Sequence, residues 1–227
     1  MDTTASDPLS LGHGTVYEPQ HDSHMLAEAV VARGLPKAAR VLDLCTGSGI
    51  QALTAASLGA ERVLAVDISI AAVESTRAAA YRLGLDVETR QGDLHVALNH
   101  GPYDVVLCNP PYVPSEHVPP TEGPSVAWDA GVDGRAFLDP LCRAAPSLLS
   151  ESGFLLLVQS EHADVPKSIA MFEREGLRTS IVARRTIEFG PVMLARAAWL
   201  EANGLIEKGC RTEELAVILA ERNTSGA

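Results

Sequence analysis

Beyond Arg40 the chain alternates between two periodicities. Short strand-like runs recur at 41–44 (VLDL), 62–67 (RVLAVD), 87–93 (VETRQGD), 103–109 (YDVVLCN), 153–159 (GFLLLVQ), 178–185 (RTSIVARR) and 214–221 (ELAVILAE). Between them, apolar positions three and four apart predict helices at 49–59, 69–83, 134–150, 162–175 and 191–203, the second capped by Ser69. Strands alternating with helices predict an α/β fold, with a seven-stranded, mostly parallel sheet covered on both faces. The run at 103–108 is apolar nearly throughout, as a buried central strand requires. The last strand follows a helix that starts near Gly190-Pro191, and the pattern allows it to be inserted antiparallel or to continue the sheet in parallel.

Ahead of Arg40 one further helix runs to about Gly34, with Asp22 or Ser23 as its cap and Leu26, Val30 and Val31 as its apolar stripe. Residues 1–14 show no periodicity and are expected to form a flexible arm, leaving 15–227 as one domain. A long irregular stretch runs from Pro111 to Trp128 and holds five prolines, Pro111, Pro114, Pro119, Pro120 and Pro124. In a compact α/β domain a loop of that length is functional or disordered.

Composition narrows the function classes. With 46% apolar and 21% charged residues the chain is globular. Its net charge of −11 repels phosphate backbones and disfavours nucleic acid as a partner. No apolar run approaches the roughly 20 residues of a membrane span, and the acidic N-terminus lacks the features of a signal peptide. Cys45, Cys108, Cys142 and Cys210 form no C-x-x-C pair, as expected of reduced thiols in a cytoplasmic protein.

Candidate chemistry begins where the first strand runs into Cys45-Thr46-Gly47-Ser48-Gly49. Glycines there let the backbone turn tightly and let a ligand approach without a Cβ in the way. Asp67 ends the second strand, where a carboxylate can accept both hydroxyls of a ribose. Asp93 ends the third, where it can accept an adenine amino group. The spacing is not G-x-G-x-x-G and nothing marks a pyrophosphate site, so a nucleoside without phosphates fits better than NAD. The region resembles the class I S-adenosylmethionine-dependent methyltransferases, in which a D-x-x-x-G-x-G turn, a ribose acid and an adenine acid occur in this order. That likeness implies a Rossmann-like fold and a cofactor site of Asp43, Cys45, Thr46, Gly47, Gly49, Asp67, Ile68, Asp93, Leu94 and Asn109, with S-adenosylhomocysteine as product.

Asn109-Pro110-Pro111-Tyr112 follows the fourth strand. Asn109 precedes a proline and is pushed to an extended conformation. Neither proline has an N–H, so the loop offers carbonyls and the Asn carboxamide without competing backbone donors. That suits an NH₂ group whose nitrogen gains positive charge as it is methylated. In this reading Asn109 and Pro110 accept from the nitrogen, Tyr112 walls the planar group, and Pro111 completes the substrate pocket.

VLDLCTGSG, AVD, QGD, YDVVLCNPPYVP and AWDAGVDGRAFLDPLCRAAPSLLSESGFLLL together resemble the HemK/PrmC family of protein-glutamine N5-methyltransferases. In that family the first motif reads D-L-G-T-G-S-G, and here Cys45 replaces its first glycine. VYEPQHDSHML is similar to the Y-x-P-x-x-D-[ST] segment of the short branch that methylates eukaryotic and archaeal release factors. By that likeness Tyr17, Pro19 and Ser23 lie over the methionine moiety. Only about 40 residues precede the first strand, too few for the helical substrate domain of the bacterial enzymes. Recognition then falls to the 113–130 loop, the N-terminal arm or a partner, and the short branch implies a small zinc-binding activator subunit.

The expected function is methyl transfer to a protein glutamine amide, as on a release factor. Three alternatives stand beside it: a small amide, amine or guanidine metabolite as acceptor, an adenine N6-methyltransferase, or a non-catalytic cofactor-binding protein. His21 and His24 are three apart but have only His13 near them, so no metal site is expected. Glu161-His162 reads as a helix start, and Ser160 lacks a G-x-S-x-G elbow. Trp128 is a candidate groove residue and Trp199 a packing residue.

Overall fold

The computed structural model describes residue 16 and residues 18–222. The expected arm at 1–14 therefore lies outside the described residues, as does Tyr17. The elements in chain order are α1 (His21–Arg33), β1 (Arg40–Leu44), α2 (Ile50–Ser57), β2 (Arg62–Asp67), α3 (Ile70–Leu83), β3 (Glu88–Gln91), α4 (Leu94–His100), β4 (Tyr103–Cys108), α5 (Leu138–Leu148), β5 (Leu149–Ser160), α6 (Val165–Arg174), β6 (Leu177–Glu188), α7 (Pro191–Ala202) and β7 (Thr212–Arg222). The sheet has seven strands in the order β3-β2-β1-β4-β5-β7-β6. β1 to β5 pair in parallel. β7 inserts antiparallel between β5 and β6, which settles the choice that the pattern left open.

Residue patterns explain the order. Val41, Leu42 and Leu44, Val105 to Cys108 and Phe154 to Val158 are all buried, so β1, β4 and β5 occupy the middle. β3 is only four residues long and polar, and β6 alternates buried or half-buried with exposed positions, as edge strands do. The strand order reverses between β1 and β4, where Leu44 pairs with Cys108. Loops leaving the C-terminal ends of two such strands diverge and open a crevice.

Three local expectations are corrected. The third strand stops at Gln91, because Asp93 leaves the sheet to cap α4, a seven-residue helix too short to show a periodicity. The first helix begins at His21, and its N-cap is Gln20, with no side-chain cap. Asp22 and Ser23 lie inside the first turn instead, and both are buried, because their side chains turn inward to bond Asn109 and Tyr112 in the loop after β4. The helix expected at 134–150 is confined to α5, since Leu149 already belongs to β5.

Candidate active site

The crevice holds a cavity of about 250 Å³. One wall is the loop from Cys45 to Ile50, and its two glycines serve different ends. Gly47 has φ +54°, and nothing lies within 4 Å of where its Cβ would be, so the cavity reaches its backbone. Gly49 has φ +88°, and a Cβ there would sit 2.8 Å from the Thr76 side chain, so it lets α2 pack against α3. Cys45 is also left-handed, at φ +63°, a conformation that favours the glycine it replaces. Its half-buried thiol is held well above the usual range by the neighbouring Cys108 thiol and by desolvation, so it stays neutral.

Asp67 closes the loop from the neighbouring strand. Its Oδ2 accepts the Gly47 N–H and its Oδ1 the Ser69 N–H, both at 2.9 Å. Each oxygen keeps lone-pair capacity toward the cavity it lines. Burial raises this carboxyl despite those N–H groups. Asp43 stands behind the loop: its Oδ2 accepts from Thr46 Oγ1 at 2.6 Å and from the Ala52 N–H at 2.9 Å. Its Oδ1 is buried without a partner, and burial pushes the carboxyl up to about 7. Asp93 lines the far end; desolvation raises its carboxyl, but the His95 ring at 3.2 Å and the His95 N–H, donated at 2.9 Å, together outweigh it and hold the carboxylate below its ordinary range.

The second wall is the loop after β4. Asn109 lines the cavity, and its Nδ2 donates to Ser23 Oγ at 3.2 Å. Ser23 in turn is bonded to Asp22, which also accepts from Tyr112 Oη at 3.0 Å. Gln51 of α2 donates to the Ser23 carbonyl at 2.8 Å. The first turn of α1 is thus clamped between both cavity loops. Tyr112 is buried and faces a smaller cavity of about 90 Å³, shared with Trp128 and Glu213.

The proline-rich stretch forms the roof. Its limbs pair through Val113 with Trp128 and Ala130, and through Ser115 with Gly131. Pro119, Pro120, Pro124 and Val126 line the main cavity. Arg196 of α7 pins both limbs, donating to the Pro114 carbonyl at 3.0 Å and pairing with Asp129. Arg135 anchors the far limb on the Ala163 and Asp164 carbonyls and on Ser168 Oγ.

Of the residues expected to form the site, Ser23, Cys45, Thr46, Gly47, Asp67, Ile68, Asp93, Asn109 and Pro111 line the main cavity. Pro19 borders a separate groove beside Ser48 and Ile50. Asp43, Gly49, Leu94, Pro110 and Tyr112 stand behind the wall rather than in it. Gln51 and Phe137 also line the main cavity, and Asp22 and Arg196 support its walls from outside; none of the four was expected in the site. Gln51 carried one signal, a polar residue on the same helix face as Ala52 and Ala55. No group of His, Cys, Asp and Glu able to hold a metal occurs among the described residues.

These residues fit S-adenosylmethionine: open backbone at Gly47, a carboxylate able to face a ribose at Asp67, apolar walls, and no Lys or Arg among the described lining residues. The comparisons agree. A family model described as methyltransferase small domain matches residues 18–186. The release factor glutamine methyltransferase of Mycolicibacterium smegmatis is 33% identical over 83% of this chain and 70% of its own. The 4-amino-L-phenylalanine/4-methylamino-L-phenylalanine methyltransferase of Streptomyces pristinaespiralis is 34% identical over 79% of this chain and 63% of its own. Among solved structures, the E. cuniculi Mtq2-Trm112 complex, responsible for methylation of the termination factor eRF1, superposes with TM-score 0.64 at 25% identity over 92% of this chain and 99% of its own. The chain belongs to the methyltransferase small-domain family, as a HemK/PrmC-like S-adenosylmethionine-dependent methyltransferase.

Proposed function

We propose that the enzyme methylates the side-chain amide of a glutamine in a protein, a translation release factor being the first candidate. The observation that carries this reading is Asn109, held at the wall of the cofactor cavity with no N–H on the two prolines that follow it. The bound cofactor supplies an electrophilic methyl group on a sulfonium. The chain supplies orientation. Asn109 Oδ1 accepts from the amide NH₂, which aims the nitrogen and eases the positive charge that builds on it. Asp67 holds the ribose, Asp93 the adenine, and Ser23 the side of the methionine moiety. The roof from Pro119 to Val126 excludes water. By likeness to the E. cuniculi complex, a small activator subunit is the proposed partner, and the cytoplasm is the proposed compartment.

A second reading is methylation of a small aromatic amine, favoured by the Streptomyces relative and by the cavity behind Tyr112, where Trp128 and buried carboxylates meet. Labelled S-adenosylmethionine incubated with separated host fractions tells the two apart. Label in a protein glutamine supports the first, label only in small molecules the second, and label in a duplex sinks both. Asn109→Ala should abolish transfer while calorimetric cofactor binding changes little.

A further inference from the structure

We infer that Asp22 is a positioning residue which, through Ser23, decides which end of the Asn109 carboxamide faces the methyl acceptor. The inference rests on the reading of Asn109 as the acceptor of hydrogen bonds from the substrate nitrogen. The two ends of a carboxamide are nearly equal in size, so packing alone does not choose between them. A wrong choice would turn the Asn109 NH₂ toward the substrate NH₂, donor against donor.

The choice is made by a chain of bonds that runs in one direction only. A carboxylate accepts and never donates. Asp22 Oδ1 takes the backbone N–H of Ser23 at 2.6 Å and the Ser23 hydroxyl at 3.1 Å. Oδ2 takes the Tyr112 hydroxyl at 3.0 Å. Ser23 has a single hydroxyl proton, and Asp22 holds it. What Ser23 Oγ offers Asn109, 3.2 Å away, is therefore a lone pair, and Asn109 must present its NH₂ there. Its Oδ1 is left for the cavity. All of this happens out of water: Asp22 is 5% exposed and Ser23 3%. A buried chain of this kind holds its direction because each reversal strands a donor or an acceptor. The same carboxylate ties down the Tyr112 hydroxyl, so one side chain orients both ends of the Asn-Pro-Pro-Tyr turn.

The variants separate direction from charge. Asp22→Asn removes the charge but keeps an acceptor for Ser23, because the Ser23 N–H can only donate and draws the new amide oxygen toward it. Asp22→Ala removes the acceptor, and Ser23→Ala removes the relay while leaving Asp22 in place. At saturating S-adenosylmethionine, with purified host release factor as acceptor, kcat should fall about 10-fold or more in Asp22→Ala and Ser23→Ala. Asp22→Asn should stay within about 3-fold of the parent. In ¹⁵N-labelled protein saturated with S-adenosylhomocysteine, the Asn109 side-chain NH₂ signals, assigned by their loss in Asn109→Ala, should exchange faster with water in the two alanine variants and not in Asp22→Asn. If Asp22→Ala does not fold, Ser23→Ala carries the comparison. Unchanged Asn109 signals in Ser23→Ala, or an Asp22→Asn as slow as Asp22→Ala, would overturn the inference. If the parent methylates no release factor, the proposed substrate fails, while the amide signals, which need no acceptor, still decide the role of Asp22.

Discussion

Gly134 packs directly on the carbonyl of Tyr112: a Cβ at that position would run into the Tyr112 oxygen, and φ there is +71°. The turn before α5 is therefore a backstop for the Asn109-to-Tyr112 turn, and the neighbouring Arg135 locks it to the start of α6. Gly134→Ala should push the Asn109-to-Tyr112 turn out of place. The expected cost is about 1–3 kcal/mol of stability, read as a lower Tm. Methyl transfer should fall at least roughly 10-fold, since small displacements of reacting groups are expensive. An alanine variant with parental kcat would show that the backstop is not needed.

Asp67 should govern affinity for the cofactor and not the rate of transfer. It bridges Gly47 and Ser69 and lines the cavity that those loops form. Asp67→Ala removes the acceptor proposed for the ribose and also frees the Gly47 N–H. Two lost polar contacts of this kind cost about 1–3 kcal/mol, which calorimetry should read as a roughly 10- to 100-fold weaker Kd for S-adenosylmethionine. Unchanged affinity would move the ribose away from β2.

The parallel half of the sheet and the cofactor loop were legible because local rules produce both. Apolar runs such as Val105 to Cys108 admit one environment, and Gly47 and Gly49 mark a turn wherever they occur. What escaped depends on partners far apart in the chain. Asp22 reads as a helix cap by its neighbours, and its bond from Tyr112, 90 positions later, is not visible in the local sequence. Arg196 reads as a surface cation on α7 until β7, entering antiparallel, completes the hairpin that carries that helix to Asp129. The proline-rich stretch looked irregular because its limbs pair with each other and not with a neighbouring strand.

Arg196 should set how well the roof is held. Its guanidinium joins the Pro114 carbonyl to Asp129, whose side chain is only 8% exposed. Arg196→Met keeps much of the apolar stem but leaves the Asp129 carboxylate without its cation, a strongly destabilising loss for a buried pair. The outcome expected is faster proteolytic cleavage between 116 and 127 and a KM for the acceptor raised several-fold, with a smaller change in cofactor Kd. Protection of that segment equal to the parent's would assign the roof's order to its own backbone bonds.

Asp43 makes the stability of the free enzyme depend on pH in an unusual direction for a carboxylate. Burial raises its carboxyl from 3.8 to about 7, with only Thr46 and the Ala52 N–H opposing. Between those values the folded chain holds a proton that the unfolded chain has released, so this group favours folding below pH 4 and loses that advantage as pH rises toward 7. Its contribution should decline by up to about 1.4 kcal/mol per pH unit across the window. Asp43→Asn keeps an acceptor for Thr46 and Ala52 and cannot ionise. Denaturant titrations from pH 4 to pH 7.5 should show the parent losing stability relative to Asp43→Asn as pH rises, with the difference levelling off above 7. A constant difference across that range would mean that Asp43 ionises alike in both states, and its role would then reduce to holding the Cys45–Gly49 loop through Thr46 and Ala52.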